Sequence, residues 1–146
     1  WVGPYDDMKL GFHQVAKNYY YPGWWEPGPA LSFYVNKTAW ERLPESYRSA
    51  IEVATAEASV GMMVEYDAKN PAALKSLVED YGVKLQQYSG DIMTAANESI
   101  NDMCAGFASA DPQYKKIYDH WSSFKKDSAA WFSTAEQSYT NFAYKH

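Results

Sequence analysis

The sequence has few of the residues from which enzyme and metal sites are most often built. Among 146 residues it contains one cysteine, Cys104, which excludes an internal disulfide and a zinc site built from cysteines. Its three histidines, His13, His120 and His146, are spaced so that no two fall on one helical face. It also lacks the Gly-x-Ser-x-Gly and phosphate-binding glycine motifs. Because no nucleophile and base can be paired from these residues, we predict that the protein is not an enzyme.

Basic residues are outnumbered, with 13 Lys and Arg against 18 Asp and Glu, and the net charge is −5 at pH 7. A nucleic-acid-binding protein needs a basic face that displaces counterions from phosphates, so we expect no nucleic-acid partner. The same balance disfavours adsorption to an anionic membrane surface. The longest stretch without a charged residue, Pro27–Asn36, is far shorter than the ~20 residues of a membrane-spanning helix.

Aromatic residues, by contrast, make up 17% of the chain, and they are concentrated near its start. Five tyrosine and tryptophan rings stand within Tyr19–Trp25. Three prolines and two glycines follow within the eight residues Pro22–Pro29, and this density forbids a helix. We therefore predict a loop over Tyr19–Pro29 that carries a group of large aromatic rings.

Most of the remaining chain has helical periodicity. In chain order the pattern predicts a short helix capped by Asp6 or Asp7, a short helix over Ala39–Leu43 capped by Thr38, a helix over Glu45–Asn70, a helix from Pro71 to Gly82, a helix that starts at Ser89 or Gly90, and a helix from Gln113 to about Phe142. The last of these would be about 45 Å long, whereas a domain of this size has a radius of gyration of about 15 Å. It must bend back or pack on something outside the chain.

The residue pattern predicts strands in two short segments, Ala30–Asn36 and Val83–Tyr88, and allows a third. The predicted fold is therefore mostly α-helical with two or three short strands. Two isolated strands do not form an independent sheet, so we expect them to complete a sheet whose other strands belong to a longer protein.

Glu26 is the one carboxylate within the aromatic loop, where it stands between Trp25 and Pro27. A carboxylate among aromatic rings is costly unless it is paired or hydrogen-bonded. One interpretation is that Glu26 meets a lysine, an arginine or backbone amides and has a structural role. The other is that its oxygens bind a hard metal ion.

Several segments closely resemble one family of transport proteins. The sequence is similar to the solute-binding receptors of tripartite ATP-independent periplasmic (TRAP) transporters, in the branch that binds 2-oxo and 2-hydroxy acids such as pyruvate and lactate. The resemblance is carried by Trp1–Asp7, Lys9–Phe12, Val15–Lys17, Tyr19–Gly28, Lys69–Pro71 and Lys75–Val78. Those receptors are about twice as long, and the chain resembles their C-terminal half.

The resemblance implies a fold, a location and partners. The whole receptor would be a two-lobed α/β clamshell in the periplasm that delivers its ligand to an integral-membrane TRAP permease. Residues 1–111 would be part of the second ligand-binding lobe. Residues 112–146 would be a long C-terminal helix that serves as the dimerisation arm of a homodimer.

The resemblance also implies a binding site. The monocarboxylate would be bound through a bridging Na⁺ or Ca²⁺, with the main-chain carbonyl of Trp1 and the carboxylate of Glu26 as metal ligands. Trp1, Trp25 and Glu26 would line the substrate pocket. A glutamate expected before Trp1, a glutamine of the metal shell and an arginine for the substrate carboxylate all lie outside this sequence.

Two other classes of protein remain open on the residues alone. One is a helical interaction module in which the aromatic loop is only part of the core. The other is a carbohydrate-binding protein, since exposed tryptophan and tyrosine faces stack on sugars.

Overall fold

The computed structural model describes residues 3–26, 28 and 31–145. Within these residues the helices are α1 (Pro4–Lys9), α2 (Lys37–Arg42), α3 (Glu45–Glu79), α4 (Gly90–Ala110), α5 (Pro112–Phe132) and α6 (Ser138–Ala143), and the strands are β1 (Asn18–Tyr21) and β2 (Lys84–Gln87). A 3₁₀ turn spans Phe12–Gln14, and a π-helical segment over Ser133–Gln137 joins α5 to α6. The predicted mostly helical fold with short strands is confirmed. No helix in the described part of the chain is long and apolar enough to cross a membrane.

The chain forms two compact units, residues 1–89 and residues 90–146. In the first unit β1 and β2 pair in parallel, in a register that runs from Asn18 opposite Lys84 to Tyr21 opposite Gln87. The long connection between two parallel strands contains α3, as parallel pairing requires. The buried apolar residues of the described chain, Ala73, Leu77 and Val83, all belong to this unit.

The strand prediction over Ala30–Asn36 is wrong for residues 31–36, which are not in a strand, and Ala30 lies outside the described residues. Leu31 and Tyr34 expose 70% and 87% of their surface. Strand propensity reports packing against a partner strand, and the β-forming residues here have no such packing. The strand forms instead at β1, within the predicted loop, because the proline and glycine residues that break structure begin only at Pro22.

The predicted break between two helices at Asn70–Pro71 is also wrong, because α3 continues through Pro71 for 35 residues in all. A proline inside a helix removes one hydrogen bond and crowds the preceding turn. Burial of Ala73 and Leu77 beyond the proline offsets this cost, since tertiary packing overrides local propensity. The chain then turns at Gly82, whose φ of +66° is a left-handed conformation that favours glycine.

The predicted helix caps need correction at both short helices. Helix α1 starts at Pro4, with Gly3 as N-cap, so Asp6 and Asp7 lie inside its first turn. Helix α2 starts at Lys37, so Thr38 lies inside it, and the capping residue is Asn36, whose Oδ1 accepts a hydrogen bond from the amide of Ala39 at 3.1 Å.

In the second unit α4 and α5 are joined at Asp111. The side chain of Asp111 accepts hydrogen bonds from the amides of Gln113 and Tyr114 at 2.8 and 3.3 Å, which caps α5. The chain is then helical without interruption from Pro112 to Ala143, so the predicted extent of the last helix is confirmed. The π-helical segment inside it was not predicted.

Leu77, which is 2% exposed, is the most buried side chain in the described residues. We expect Leu77→Ala to lower the free energy of unfolding of this chain by about 2–4 kcal/mol, because the change leaves a cavity in a small core. Leu10→Ala removes the same atoms from a side chain that is 63% exposed and is the matched control. Chemical denaturation measures both, and equal effects of the two substitutions would contradict the assignment of the core.

Candidate functional site

The aromatic loop follows β1 at the carboxyl end of the two-stranded sheet. Because β1 and β2 are parallel, their carboxyl ends lie at one edge of the sheet. The amide of Tyr88, directly after β2, donates to the carbonyl of Tyr21 at 2.8 Å and extends the pairing to that edge. In open α/β sheets ligands bind outside the carboxyl ends of the strands. The loop that carries Trp24, Trp25 and Glu26 starts there.

Four aromatic rings from the two strand ends form one cluster. Tyr20 stacks on Tyr88 with ring centroids 5.3 Å apart, and Trp25 meets Tyr88 edge to face at 6.3 Å. Trp24 meets Trp25 edge to face at 5.5 Å. Trp25 nevertheless exposes 54% of its surface. The cluster is therefore both a link between the strand ends and an accessible apolar surface next to Glu26.

Glu26 is half-buried and directly follows Trp25 in this loop. The chain bends sharply here, since a Cβ added at Gly23 would lie 3.3 Å from the main-chain oxygen of Glu26. A carboxylate suits a hard cation such as Na⁺ or Ca²⁺, although calcium takes about six to eight oxygens. Among the described residues no three His, Cys, Asp or Glu side chains are grouped to hold a metal. The donor chemistry of Glu26 therefore fits such an ion.

Of the three predicted site residues, Trp25 and Glu26 are neighbours in this loop, and Trp1 lies outside the described residues. The roles assigned to all three stay predictions. Sequence reasoning placed Tyr20 among the rings of the aromatic loop but missed Tyr88 as a member of the cluster. Tyr88 could have been found from the sequence, because it is the last residue of a predicted strand and therefore stands at the sheet edge where ligands bind.

Helix α1 is held to the rest of the first unit by two neighbouring aspartates, each bonded to a different element. The Tyr66 hydroxyl on α3 donates to Asp6 Oδ2 at 2.5 Å. The Tyr19 hydroxyl on β1 donates to Asp7 Oδ2, also at 2.5 Å. Burial and then the Asp7 hydrogen bond raise the pKa of Tyr19 well above its ordinary value. The Asp6 hydrogen bond raises the pKa of Tyr66.

Tyr5 on α1 lies between two lysines. Lys69 Nζ donates to the Tyr5 hydroxyl at 3.2 Å, and Lys9 Nζ lies 4.4 Å from the centre of its ring. Hydrogen bonding to Lys9 and then to Lys69 lowers the pKa of Tyr5. A cavity of about 650 Å³ lies beside these residues, lined also by Glu65 and by small residues of α3. Its walls carry charges of both signs, and it does not include the aromatic cluster.

In the second unit Cys104 is half-buried, and a hydrogen bond between its thiol and the Tyr114 hydroxyl raises the pKa of Tyr114.

Comparison with known proteins relates both units to one class. Residues 1–111 match the family described as bacterial extracellular solute-binding protein, family 7 (DctP). The chain is 48% identical over 143 residues to the monocarboxylate 2-oxoacid-binding periplasmic protein of Nostoc sp. (strain PCC 7120), an alignment that covers 98% of this chain and 39% of that protein.

The crystal structure of a relative has the same fold as this chain. The crystal structure of a TRAP transporter solute-binding protein from Bordetella bronchiseptica RB50 superposes with a TM-score of 0.88 at 38% identity. The match covers 99% of this chain and 43% of that chain. That protein is described as a mixed-occupancy dimer, with copurified calcium and picolinate bound at one active site and the other site apo.

All of these matches are to solute-binding receptors. Such receptors are binding proteins, and the family is not a class of enzymes. The chain belongs to family 7 of the bacterial extracellular solute-binding proteins, and its predicted resemblance to TRAP receptors is confirmed. It spans about two fifths of the length of these relatives, 39% and 43% respectively.

The hydrogen bond between Tyr19 and Asp7 predicts a pH dependence of stability. Because folding raises the pKa of Tyr19, its contribution is present below the ordinary tyrosine pKa of about 10 and is lost as the pH rises above that value. We expect Tyr19→Phe to reduce the fall in unfolding free energy above pH 10. Tyr47→Phe, at a ring that is 63% exposed, is the control. Identical alkaline profiles for Tyr19→Phe and the wild type, measured by denaturation, would contradict this prediction.

Proposed function

We propose that this chain forms part of a periplasmic receptor that binds a small monocarboxylate, a 2-oxo or 2-hydroxy acid such as pyruvate or lactate, and delivers it to a TRAP membrane permease. The observation that carries the proposal is the position of Glu26, in an exposed aromatic loop that starts at the carboxyl edge of a parallel strand pair. The name of the Nostoc relative, which describes a 2-oxoacid-binding periplasmic protein, supports the ligand class and the location.

Glu26 and the ligand would both be carboxylates, and like charges at close range repel. A bound Na⁺ or Ca²⁺ would supply a positive charge that removes this repulsion. Glu26 would hold it through a carboxylate oxygen and Trp1 through its main-chain carbonyl. The calcium that copurified with the Bordetella protein supports an ion of this kind. Trp25 would exclude water from one side of the ligand, because its ring is the accessible apolar surface beside Glu26.

We also propose that the C-terminal helical segment is the dimerisation arm of a homodimer. Large rings along it are exposed in the single chain, with Trp121 at 49%, Phe124 at 68% and Trp131 at 65%. Exposed apolar surface on this scale marks an interaction site. The Bordetella protein, described as a dimer, supports a second copy as the partner.

Glu26→Gln tests the site in a full-length receptor that carries this sequence. The amide has the same shape but no charge, so we expect the affinity for pyruvate in the presence of calcium or sodium to fall by at least about tenfold. Glu41→Gln, at an exposed carboxylate of α2, is the matched control. Isothermal titration calorimetry with and without each ion measures the effect. Unchanged affinity in Glu26→Gln would eliminate the metal site, and ion-independent sugar binding would favour a carbohydrate-binding protein.

Phe124→Glu tests the dimerisation arm, since a charge in a buried interface is costly. We expect this change, and also deletion of the residues after Asp127, to convert a dimer into a monomer in light scattering. Tyr47→Glu places the same charge at a similarly exposed ring on α3 and should leave the dimer intact. A monomeric wild-type receptor would contradict the proposal.

A further inference from the structure

Tyr88 contacts the aromatic loop at two places, once through its main chain and once through its ring. Its amide donates to the carbonyl of Tyr21, the last residue of β1, at 2.8 Å. Its ring meets the ring of Trp25 edge to face, with the centroids 6.3 Å apart and the planes at 81°. Tyr88 therefore links the residue that precedes the loop to the residue that precedes Glu26.

The ring of Tyr88 is itself held by β1. It stacks on the ring of Tyr20, with the centroids 5.3 Å apart and an angle of 27° between the planes. Tyr88 is half-buried, whereas Tyr20 and Trp25 each expose 54% of their surface. Aromatic pairs have preferred geometries, so each of these contacts constrains orientation as well as distance. Tyr88 is thus the anchored member of the cluster, against which the Trp25 ring packs.

The loop between Tyr21 and Glu26 is short and folds back on itself. A Cβ atom placed on Gly23 would lie 3.3 Å from the main-chain oxygen of Glu26. Glu26 directly follows Trp25, so their Cα atoms are only about 3.8 Å apart. A Trp25 ring that is fixed by Tyr88 therefore limits where the main chain of Glu26 can lie, and with it the carboxylate.

We propose that Tyr88 is a positioning residue for the cation site, whose ring holds Trp25, and through it the Glu26 carboxylate, at the carboxyl edge of the strand pair. This inference rests on the proposed function. Tyr88 acts through Trp25 and need not touch the ion or the ligand. A loop that is ordered before binding loses less conformational freedom when the ion binds, so the affinity is higher.

The experiment measures ion affinity of the full-length receptor at saturating pyruvate, with calcium chloride as titrant, or sodium chloride if pyruvate binding depends on sodium. Tyr88→Leu removes both ring contacts, and we expect ion affinity to fall about tenfold, the scale of two aromatic pairs. Tyr88→Phe keeps the ring and should keep the affinity. Tyr81→Leu is the matched control, because it removes a tyrosine ring that contacts His13 before the start of β2. It should leave ion affinity unchanged.

Three further readouts separate positioning from a purely structural role. The main-chain bond to Tyr21 does not need the ring, so the amide of residue 88 should stay protected from hydrogen exchange in Tyr88→Leu. Hydroxyl-radical labelling of Trp25 in the metal-free protein should rise, because its ring loses a contact. In a Glu26→Gln background, Tyr88→Leu should reduce ion affinity little further, since both changes act on one ion ligand.

Tyr20→Leu removes the ring on which Tyr88 stacks and decides the matter if Tyr88→Leu does not fold. It should weaken ion binding about threefold, the scale of one aromatic pair. Normal ion affinity in folded Tyr88→Leu, or in Tyr20→Leu in its place, with Glu26→Gln still impaired, would overturn the inference and leave the proposed function intact. Loss of affinity together with loss of protection at residue 88 would also overturn it, because the ring would then hold the strand pair. A wild-type receptor that binds pyruvate without calcium or sodium would overturn both.

Discussion

The parallel pairing of β1 with β2 is the interaction on which the candidate site depends. It joins segments more than sixty residues apart, Asn18 opposite Lys84 through Tyr21 opposite Gln87, with α3 in the connection. Because the strands run in the same direction, the loop after β1 and Tyr88 after β2 emerge at one edge. An antiparallel pair would place them at opposite ends. The stacking of Tyr20 on Tyr88 and the contact of Trp25 with Tyr88 follow from this direction.

The second constraint is the docking of α1, a helix of six residues that buries none of its side chains and cannot be stable alone. Polar contacts hold it: Asn70 and Lys69 with Tyr5, then Asp6 with Tyr66 and Asp7 with Tyr19. Three of these contacts come from α3 and one from β1. Helix α1 and the strand that leads into the aromatic loop are thus tied to α3 and to each other.

Local signals predicted the presence of most helices and of β2 well, because helical and strand periodicity depends on residues that are close in sequence. They failed where contacts with residues distant in sequence determine the local structure. Ala30–Asn36 has strand-forming residues but, over residues 31–36, no strand, whereas Tyr19–Tyr21 became a strand because Lys84–Gln87 pairs with it. Asn70 stands at the predicted break between two helices, but it lies inside α3 and its side chain accepts a hydrogen bond from the Tyr5 amide of α1. Trp25 and Glu26 could be singled out from composition and resemblance, but Tyr88 joined them only through the sheet.

The account rests on Glu26 as a ligand of a hard cation shared with a monocarboxylate. Diffraction from crystals of the full-length receptor grown with calcium and pyruvate, recorded at a wavelength where calcium scatters anomalously, tests this most directly. We expect an anomalous peak about 2.3–2.6 Å from a carboxylate oxygen of Glu26, with oxygens of pyruvate in the same coordination shell. A Glu26 carboxylate that meets only protein amides or a basic side chain, with no such peak beside it, would contradict the account.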